Sequence, residues 1–236
     1  MGWKEILEDA VDDSFSTSFE ERDGKVVPTT EDVGSKQAVS LSATFLYADL
    51  AGSGAIAAAC PWETTAKIIR AFLDCSTRLI RAYEGEIRSF DGDRVMGVFI
   101  GDSKNTHAVK CAQEIYYCTE KIIGPKALKK FTSVSNANIH LRCGIGVDTG
   151  TARAVRAGIR NNNDLIWIGR APSMAAKLSD VRDYPYCVTI HGDVYKNMNA
   201  GVKVNDDGSE IWESRTFKFA GKDHDVFRSK FIRKPW

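Results

Sequence analysis

The stretch ATFLYADLAGSG, residues 43–54, decides how the chain folds. Its first half is a short, apolar, β-prone run, which predicts a buried strand over residues 43–48 ending at Asp49. The residues after Asp49 are small, and a loop of small residues lets backbone N–H groups approach an anion closely. The stretch therefore predicts a carboxylate at the end of a buried strand, beside a loop that could hold phosphate.

A predicted hairpin supplies a second carboxylate, Asp93. Two β-prone runs, residues 86–90 and 94–99, flank the sequence DGD, and Asp-Gly between such runs is a strong hairpin signal. Together, Asp49 and Asp93 would offer the hard oxygen ligands that Mg²⁺ and Mn²⁺ prefer alongside phosphate oxygens. The alternative is that Asp49 only ends a strand and Asp93 only fills a turn.

Hydrophobic periodicity predicts the surrounding elements. Apolar faces indicate helices over residues 64–83 and 106–123. Further predicted elements are a strand over 140–147, a hairpin of 151–157 with 165–168, a helix from Pro172, a strand over 187–190, and a C-terminal hairpin of 215–220 with 225–232. The order strand, helix, hairpin, helix, strand matches a ferredoxin-like βαββαβ core, which is an α+β fold. Residues 1–40, a short amphipathic helix and a polar linker, are predicted to form an N-terminal arm.

The composition is that of an ordinary globular protein. The chain has 236 residues, of which 43% are hydrophobic and 27% charged, and a net charge of +1. This balance argues against a broad nucleic-acid-binding surface. No run approaches the length of a membrane span, and the first residues lack the layout of a signal peptide. The 6 cysteines form no CxxC pair and are expected to be free thiols, as in a reducing compartment. We therefore expect a cytoplasmic protein that binds neither nucleic acid nor a membrane.

Four motifs, in order along residues 40–232, resemble the class III nucleotidyl cyclases, the family of adenylate and guanylate cyclase catalytic domains. They are FLYADLAGS at 45–53, GDRVMGVF at 92–99, GIGVDTG at 144–150 followed by WIGRAPSMAAKL at 167–178, and FKFAGK at 217–222. The resemblance implies that residues 41–236 form a cyclase catalytic domain with a ferredoxin-like core and a C-terminal β-hairpin.

The family resemblance also implies a mechanism and a set of ligands. In the family, two divalent cations, Mn²⁺ or Mg²⁺, bridge the triphosphate and lower the pKa of the ribose 3′-hydroxyl, which attacks the α-phosphorus while pyrophosphate leaves. The residues that align as metal ligands are Asp49, Asp93 and, through its carbonyl, Leu50. The residues that align with the phosphate loop are Ala51, Gly52, Ser53 and Gly54.

The family's transition-state Asn and Arg align with Ser173 and Lys177. Lysine can neutralise developing charge, although it lacks the planar fork of arginine. In the family, these residues of one protomer complete the metal site of the other, so the resemblance implies a homodimer with shared active sites. Lys218 and Lys222 align with the closing hairpin and are implied to reach the triphosphate, whereas Arg170 could contact phosphate or face solvent.

The positions that read the base in the purine cyclases differ here. The family's lysine is replaced by Ser89, with Arg88 beside it, and the second base-reading position is Ile166. These departures resemble the bacterial pyrimidine cyclases of the Pycsar antiphage systems, which make cyclic UMP or cyclic CMP for a separate effector protein. Uracil presents two carbonyl acceptors, and Tyr47 and Arg88 can both donate, so UTP is favoured over CTP. The alternatives are a cytidylate cyclase, an adenylate or guanylate cyclase, and an inactive nucleotide-binding homologue.

Overall fold

Strand β2 (Gln37–Ala51) contains the predicted buried strand and extends it at both ends. The computed structural model describes residues 2–235, which form two compact units. The smaller unit contains the chain up to Leu41 together with Ala152–Ile168. The larger contains Ser42–Thr151 and the chain from Gly169 onwards. Within the described residues, no helix is both long enough and apolar enough to cross a membrane.

The larger unit is a mixed sheet with helices. Its strands lie in the order β3 (Glu86–Asp91), β4 (Arg94–Phe99), β2, β5 (Arg142–Ile159), β7 (Val188–His191), β9 (Lys222–Ser229) and β8 (Glu213–Phe219). Its helices are α2 (Ser53–Ala59), α3 (Trp62–Ala82), α4 (Lys104–Tyr117), α5 (Gly124–Lys130), α6 (Thr132–Asn136), α7 (Arg170–Ser179) and α8 (Gly192–Asn197). The order β2, α3, β3, β4, α4, β5 confirms the predicted βαββαβ core and the α+β class, and β8 with β9 forms the predicted C-terminal hairpin.

The main core lies between one face of the sheet and helices α3 and α4. Leu46, Ala48 and Leu50, alternate residues of β2, are buried in it with Ile68 and Phe72 of α3. Because successive residues of a strand point to opposite faces, Tyr47 and Asp49 lie on the other face of the sheet. A second, smaller cluster places Met174 and Leu178 of α7 against Val226 of β9. The strand pattern thus separates the packed face from the face that carries the predicted site.

The smaller unit contains α1 (Trp3–Ser16), β1 (Glu20–Asp23), the beginning of β2 up to Leu41, the part of β5 from Ala152 onwards, and β6 (Asn162–Ile168). Strand β1 pairs in parallel with the beginning of β2, and β6 pairs antiparallel with the outer part of β5. Residues 16–34, read from the sequence as linker, therefore include a strand, because the short exposed run EERD has no alternating pattern to reveal it.

Two other elements differ from the predictions. The strands expected at 140–147 and 151–157 are one strand, β5, which continues through Gly150. The helix expected over 106–123 ends as α4 at Tyr117 and continues as a π-helical segment, Cys118–Ile123. Periodicity cannot register either change, since a strand glycine usually signals a break and a π-helical segment preserves the apolar face.

Candidate active site

Strands β3, β4 and β2 align the predicted site in two rows of side chains. Side chains two residues apart on a strand share a face and lie about 7 Å apart. The strand register forms one row, at the strand end, from Asp91, Arg94 and Asp49, and a second row, one step inward, from Ser89, Met96 and Tyr47. Both rows therefore face the same side of the sheet.

Asp49 is flanked by two arginines. Its Oδ1 accepts a hydrogen bond from Nη2 of Arg182 at 2.5 Å, and its Oδ2 lies 3.9 Å from Nε of Arg94. The Asp49 side chain is only 14% exposed. Burial and then repulsion by the Asp93 carboxylate raise the pKa of Asp49, and the two arginines oppose this shift. The ionised form of Asp49 is therefore disfavoured by its surroundings, and positive charge beside the carboxylate stabilises it.

Asp93 lies beside Asp49, in the turn between β3 and β4. The N–H of Leu50 donates to the main-chain oxygen of Asp93 at 3.4 Å, which ties the end of β2 to that turn. The donors at this point are carboxylate and carbonyl oxygens, the ligands that Mg²⁺ and Mn²⁺ prefer. Two neighbouring carboxylates that repel each other are relieved by a cation between them. The residues present therefore fit a divalent-cation site.

A chain of ion pairs connects Lys177 to Asp49 within one polypeptide. Nζ of Lys177 lies 3.9 Å from Oδ2 of Asp180, and Oδ1 of Asp180 accepts from Nη1 of Arg94 at 3.3 Å. Arg94 in turn faces Asp49. Ser173 and Lys177 are both exposed on α7, so their side chains are accessible to a second chain.

Helix α7 lies directly on the backbone of β5. A Cβ added to Gly146 would lie 2.1 Å from the carbonyl oxygen of Ala175 and 2.4 Å from the backbone nitrogen of Ser179. A Cβ on Gly144 would lie 2.3 Å from the carbonyl oxygen of Ser179. Only glycine permits this approach, which explains the GIG sequence of the third motif. The two glycines thus fix the height of α7, and with it Ser173 and Lys177, above the sheet.

Tyr47 and Arg88 occupy the inner part of the site. The Tyr47 hydroxyl donates to Sδ of Met96 at 3.0 Å, and burial raises the pKa of that hydroxyl. Arg88 falls at a break in the β3–β4 register, between Ile87 and Ser89. Such bulges commonly re-aim a side chain next to an active site. The Arg88 side chain is 16% exposed and forms an ion pair of 3.6 Å with Glu86.

Arg170 belongs to a separate cluster around the buried Asp148. Its guanidinium lies 3.2 Å from Asp148, 2.7 Å from Asp193 and 3.0 Å from the carbonyl of Thr149. Ligand atoms of Asp148, His191 and Asp193 lie within 4.8 Å of one another, a spacing suited to a metal ion. The arginine already supplies the positive charge there, because it pairs with both carboxylates. Asp49 also has arginines beside it, so the two places differ in their donors: the pair Asp49 and Asp93 offers oxygen atoms alone, the ligands that Mg²⁺ and Mn²⁺ prefer, whereas the cluster includes an imidazole.

The other predicted site residues lie at several places. The loop expected over Ala51, Gly52, Ser53 and Gly54 is reduced to Gly52, which has a φ of +78°, because Ala51 ends β2 and Ser53 and Gly54 begin α2. A Cβ on Gly52 or Gly54 would meet nothing within 4 Å, so this turn is open. Lys218 and Lys222 are exposed near the β8–β9 turn. Ile166 lies in the smaller unit, on β6 opposite Val155.

The sequence motifs do not identify three charged residues of the site as functional. Arg94 lies inside the second motif, while Asp180 and Arg182 lie just beyond the third. Alternation along β4 places Arg94 on the face of Asp49, so that contact was accessible to pattern reasoning. No sequence signal connects Arg182 to Asp49, because their contact depends on how the loop after α7 folds back over β5.

The comparisons with known proteins agree in fold and family. A uridylate cyclase from Rhodovulum sp. (strain MB263) is 46% identical over 92% of this chain and 91% of its own length. Uridylate cyclases from Burkholderia cepacia and Xanthomonas perforans are 39% and 36% identical over 90% and 92% of this chain, and each is covered over more than nine-tenths of its length. No family model matches the chain.

Solved structures share the fold at low sequence identity. A bacterial light-regulated adenylyl cyclase superposes with a TM-score of 0.67 at 18% identity, covering 86% of this chain and 56% of that one. The adenylyl cyclase CyaB from P. aeruginosa gives 0.65 at 16% identity, covering 81% of this chain and 95% of that one. With this fold, and with such identities over nearly its whole length, the chain belongs to the uridylate cyclase family of nucleotidyl cyclases.

Proposed function

We propose that the protein converts UTP into 3′,5′-cyclic UMP and pyrophosphate, with two divalent cations, Mn²⁺ or Mg²⁺, held by Asp49, Asp93 and the carbonyl of Leu50. The observation that carries the proposal is the adjacency of Asp49 and Asp93, joined by the hydrogen bond from the Leu50 N–H, in a chain of the uridylate cyclase family. When bound, the cations would lower the pKa of the ribose 3′-hydroxyl and neutralise phosphate charge.

In the proposed reaction, the 3′-hydroxyl loses its proton to water, its oxygen forms a bond to the α-phosphorus, the bond from that phosphorus to the bridging oxygen breaks, and pyrophosphate leaves. The open turn of residues 51–54, which leads from the end of β2 into α2, would hold the phosphates with its backbone N–H groups. Ser173 and Lys177 of a partner protomer would donate to the phosphoryl oxygens as charge develops. Lys218 and Lys222 would add positive charge toward the triphosphate. Arg170 is left out of this set, because its donors already engage Asp148 and Asp193.

The base would lie over the row that contains Tyr47. Uracil offers two carbonyl acceptors, and the Tyr47 hydroxyl and the Arg88 guanidinium are donors on neighbouring parts of the same face. Cytosine replaces one acceptor by an amine donor, so the same pair would leave a donor unmatched and discriminate against CTP. Ile166 would offer no hydrogen bond at the second position that reads purines in the family.

The biological setting is also proposed from the resemblance. Cyclic UMP would leave the enzyme as a second messenger and activate a separate effector protein in bacterial antiphage defence, in the cytoplasm. The balanced net charge of +1 is consistent with a partner set of nucleotide, second protomer and effector, without nucleic acid.

A product assay tests the reaction. Purified protein with Mn²⁺ is incubated separately with UTP, CTP, ATP and GTP, and products are identified by mass and retention time against cyclic standards. We expect cyclic UMP from UTP, and none from the Asp93→Asn variant, whose fold is checked by circular dichroism. Cyclic CMP would change the assigned base, and cyclic AMP or GMP would overturn the roles of Tyr47 and Arg88. Nucleotide binding without any product would identify an inactive homologue.

A further inference from the structure

Two arginines of the protein itself already balance the negative charge of the Asp49 carboxylate. Arg182 contacts Oδ1 at 2.5 Å and Arg94 faces Oδ2 at 3.9 Å. Both oxygens of the proposed metal ligand therefore have a guanidinium beside them. A divalent cation at Asp49 would bring like charges together, and one arginine would have to leave.

The two arginines differ in how firmly they are held. Arg94 lies on β4, in register with Asp49, and also pairs with Asp91 at 3.6 Å and Asp180 at 3.3 Å. Arg182 lies in the loop after α7, and it also donates to the carbonyl oxygens of Ser179, the last residue of α7, and of Val181. Arg182 is therefore the arginine that can leave Asp49 without breaking a network of ion pairs.

The surroundings of Arg182 leave room for its side chain to move away from Asp49. Its side chain is 40% exposed, so release does not strand a charge in the interior. Arg182 borders a cavity of about 400 Å³, which is also lined by Ala51 and Gly52 of the turn that is proposed to bind phosphate. The planar fork of an arginine matches the oxygens of a phosphate group. A change of side-chain rotamer would therefore take the guanidinium from Asp49 toward Ala51 and Gly52, where the phosphates are proposed to bind.

We propose that Arg182 is a displaceable counter-ion of Asp49: it neutralises the carboxylate in the metal-free enzyme, leaves when a divalent cation binds, and then binds the polyphosphate beside Ala51 and Gly52. The inference rests on the proposed function, in which Asp49 is a metal ligand. The proposal gives Arg182 a role in the order of binding. The cation binds first and displaces Arg182 from Asp49, and the released guanidinium then binds the phosphates.

Binding of Mn²⁺ alone tests the first half. Free Mn²⁺ is measured by electron paramagnetic resonance with full-length protein and no nucleotide. Arg182→Gln should bind Mn²⁺ about tenfold more tightly than wild type, since a competing charge has been removed. Arg182→Lys, which keeps the charge, should bind more weakly than Arg182→Gln. The matched control is Arg142→Gln, which removes another cation of the same cavity, one that stacks on Tyr184 at 3.7 Å; its Mn²⁺ affinity should equal that of wild type.

Inorganic triphosphate tests the second half. With Mn²⁺ saturating, calorimetric binding of triphosphate should weaken about tenfold in Arg182→Gln, the opposite direction to the change in metal affinity. If the role of Arg182 were purely structural, Arg182→Gln would bind both Mn²⁺ and triphosphate more weakly, and its temperature of thermal unfolding would fall. Unchanged Mn²⁺ affinity in Arg182→Gln, or tightening that Arg182→Lys reproduces in full, would overturn the counter-ion.

Asp49→Asn separates this inference from the proposed function. If Asp49→Asn loses Mn²⁺ binding while Arg182→Gln behaves as wild type, the metal site stands and the counter-ion is wrong. If Asp49→Asn binds Mn²⁺ as wild type does, the metal site itself is wrong.

Discussion

Arg170 holds Asp148 in place: its Nε lies 3.2 Å from Oδ2 of a carboxylate whose side chain is 0% exposed. Arg170 is the first residue of α7, and Asp148 lies on β5. The pair therefore fastens the start of the helix that carries Ser173 and Lys177 to the strand on which that helix rests.

We expect Arg170→Ala to destabilise the fold. Removing one partner of a buried ion pair leaves the other charge uncompensated, and with the partial exposure of Arg170 the loss should be about 2 kcal/mol in the free energy of unfolding. Urea unfolding at pH 8, where Asp148 is ionised, measures it. An Arg170→Ala protein of wild-type stability with weakened UTP binding would instead make Arg170 a substrate contact.

The stability of the protein should depend on the ionisation of Asp148. Burial, opposed first by Arg170, raises the pKa of Asp148 to about 7. Between about pH 4 and pH 7 the folded chain retains a proton that the unfolded chain releases, so this contribution to stability is present at low pH and lost as the pH rises. The wild type should therefore lose stability relative to Asp148→Asn over this interval, and the difference should be constant above it.

His191 makes the comparison with the variant necessary. Burial, and then Arg170, lower the pKa of His191 to about 4, so its own contribution rises with pH and opposes that of Asp148. His191 is present in both proteins, so the part of its contribution that is independent of Asp148 cancels in the difference. The part that does not cancel comes from the contact of His191 Nδ1 with Oδ1 of Asp148 at 3.3 Å, from which Asp148→Asn removes the negative charge. A difference that does not vary with pH would show that Asp148 remains ionised throughout.

Gly146→Ala should lower the activity of the enzyme. The new Cβ would lie 2.1 Å from the backbone oxygen of Ala175, so α7 has to move, and strain of this kind costs about 1–3 kcal/mol. Turnover of UTP should fall at least about tenfold, since sub-ångström placement of catalytic groups matters at that level. Gly201→Ala is the matched control, because nothing lies within 4 Å of its added Cβ. Equal turnover by both variants would contradict the tight packing of α7.

Mixed dimers should show whether the active sites are shared. Asp93→Asn and Lys177→Ala should each be inactive alone, while their mixture should recover about a quarter of the activity, because half of the dimers contain one intact site. The chain of ion pairs from Lys177 through Asp180 and Arg94 provides the competing arrangement, a site built within one protomer. In that case mixed dimers, verified by affinity tags, would recover nothing.

Tyr47→Phe and Arg88→Gln should alter the choice of base. Loss of a donor to uracil should lower kcat/KM for UTP by about tenfold or more and change kcat/KM for CTP less, which narrows the ratio between them. Tyr47→Phe keeps the ring and loses only the hydroxyl that contacts Met96. Equal losses with both nucleotides would identify packing, and not recognition of the base.

The sequence was sufficient for the order of the core elements and for the carboxylates at the strand end and the hairpin. Alternating and helical periodicities are local properties, and the DGD turn specifies its own hairpin. The positions of charges that meet across the fold were not accessible. Arg182 reaches Asp49 through a loop whose path depends on α7 lying directly on Gly144 and Gly146.

Arg170 shows the same limit from the other side. Its position in the third motif allowed either a phosphate contact or a solvated side chain, and the structure gives a third outcome, an ion pair with the buried Asp148. That partner lies on a different strand, and its burial can be known only from the packed fold. Strand β1 was missed for a related reason, since four exposed polar residues acquire their conformation from the edge of β2.

The bare glycine contact between α7 and β5 has a mechanical consequence. Elsewhere in the core, helices rest on a layer of side chains that can change rotamer and absorb a small displacement. Gly144 and Gly146 have no side chains that could adjust in this way, so the backbone of α7 packs directly on the backbone of β5. Any force that shifts this part of β5 moves Ser173 and Lys177 by the same amount, and the strand and helix behave as a rigid lever rather than as two separately adjustable parts.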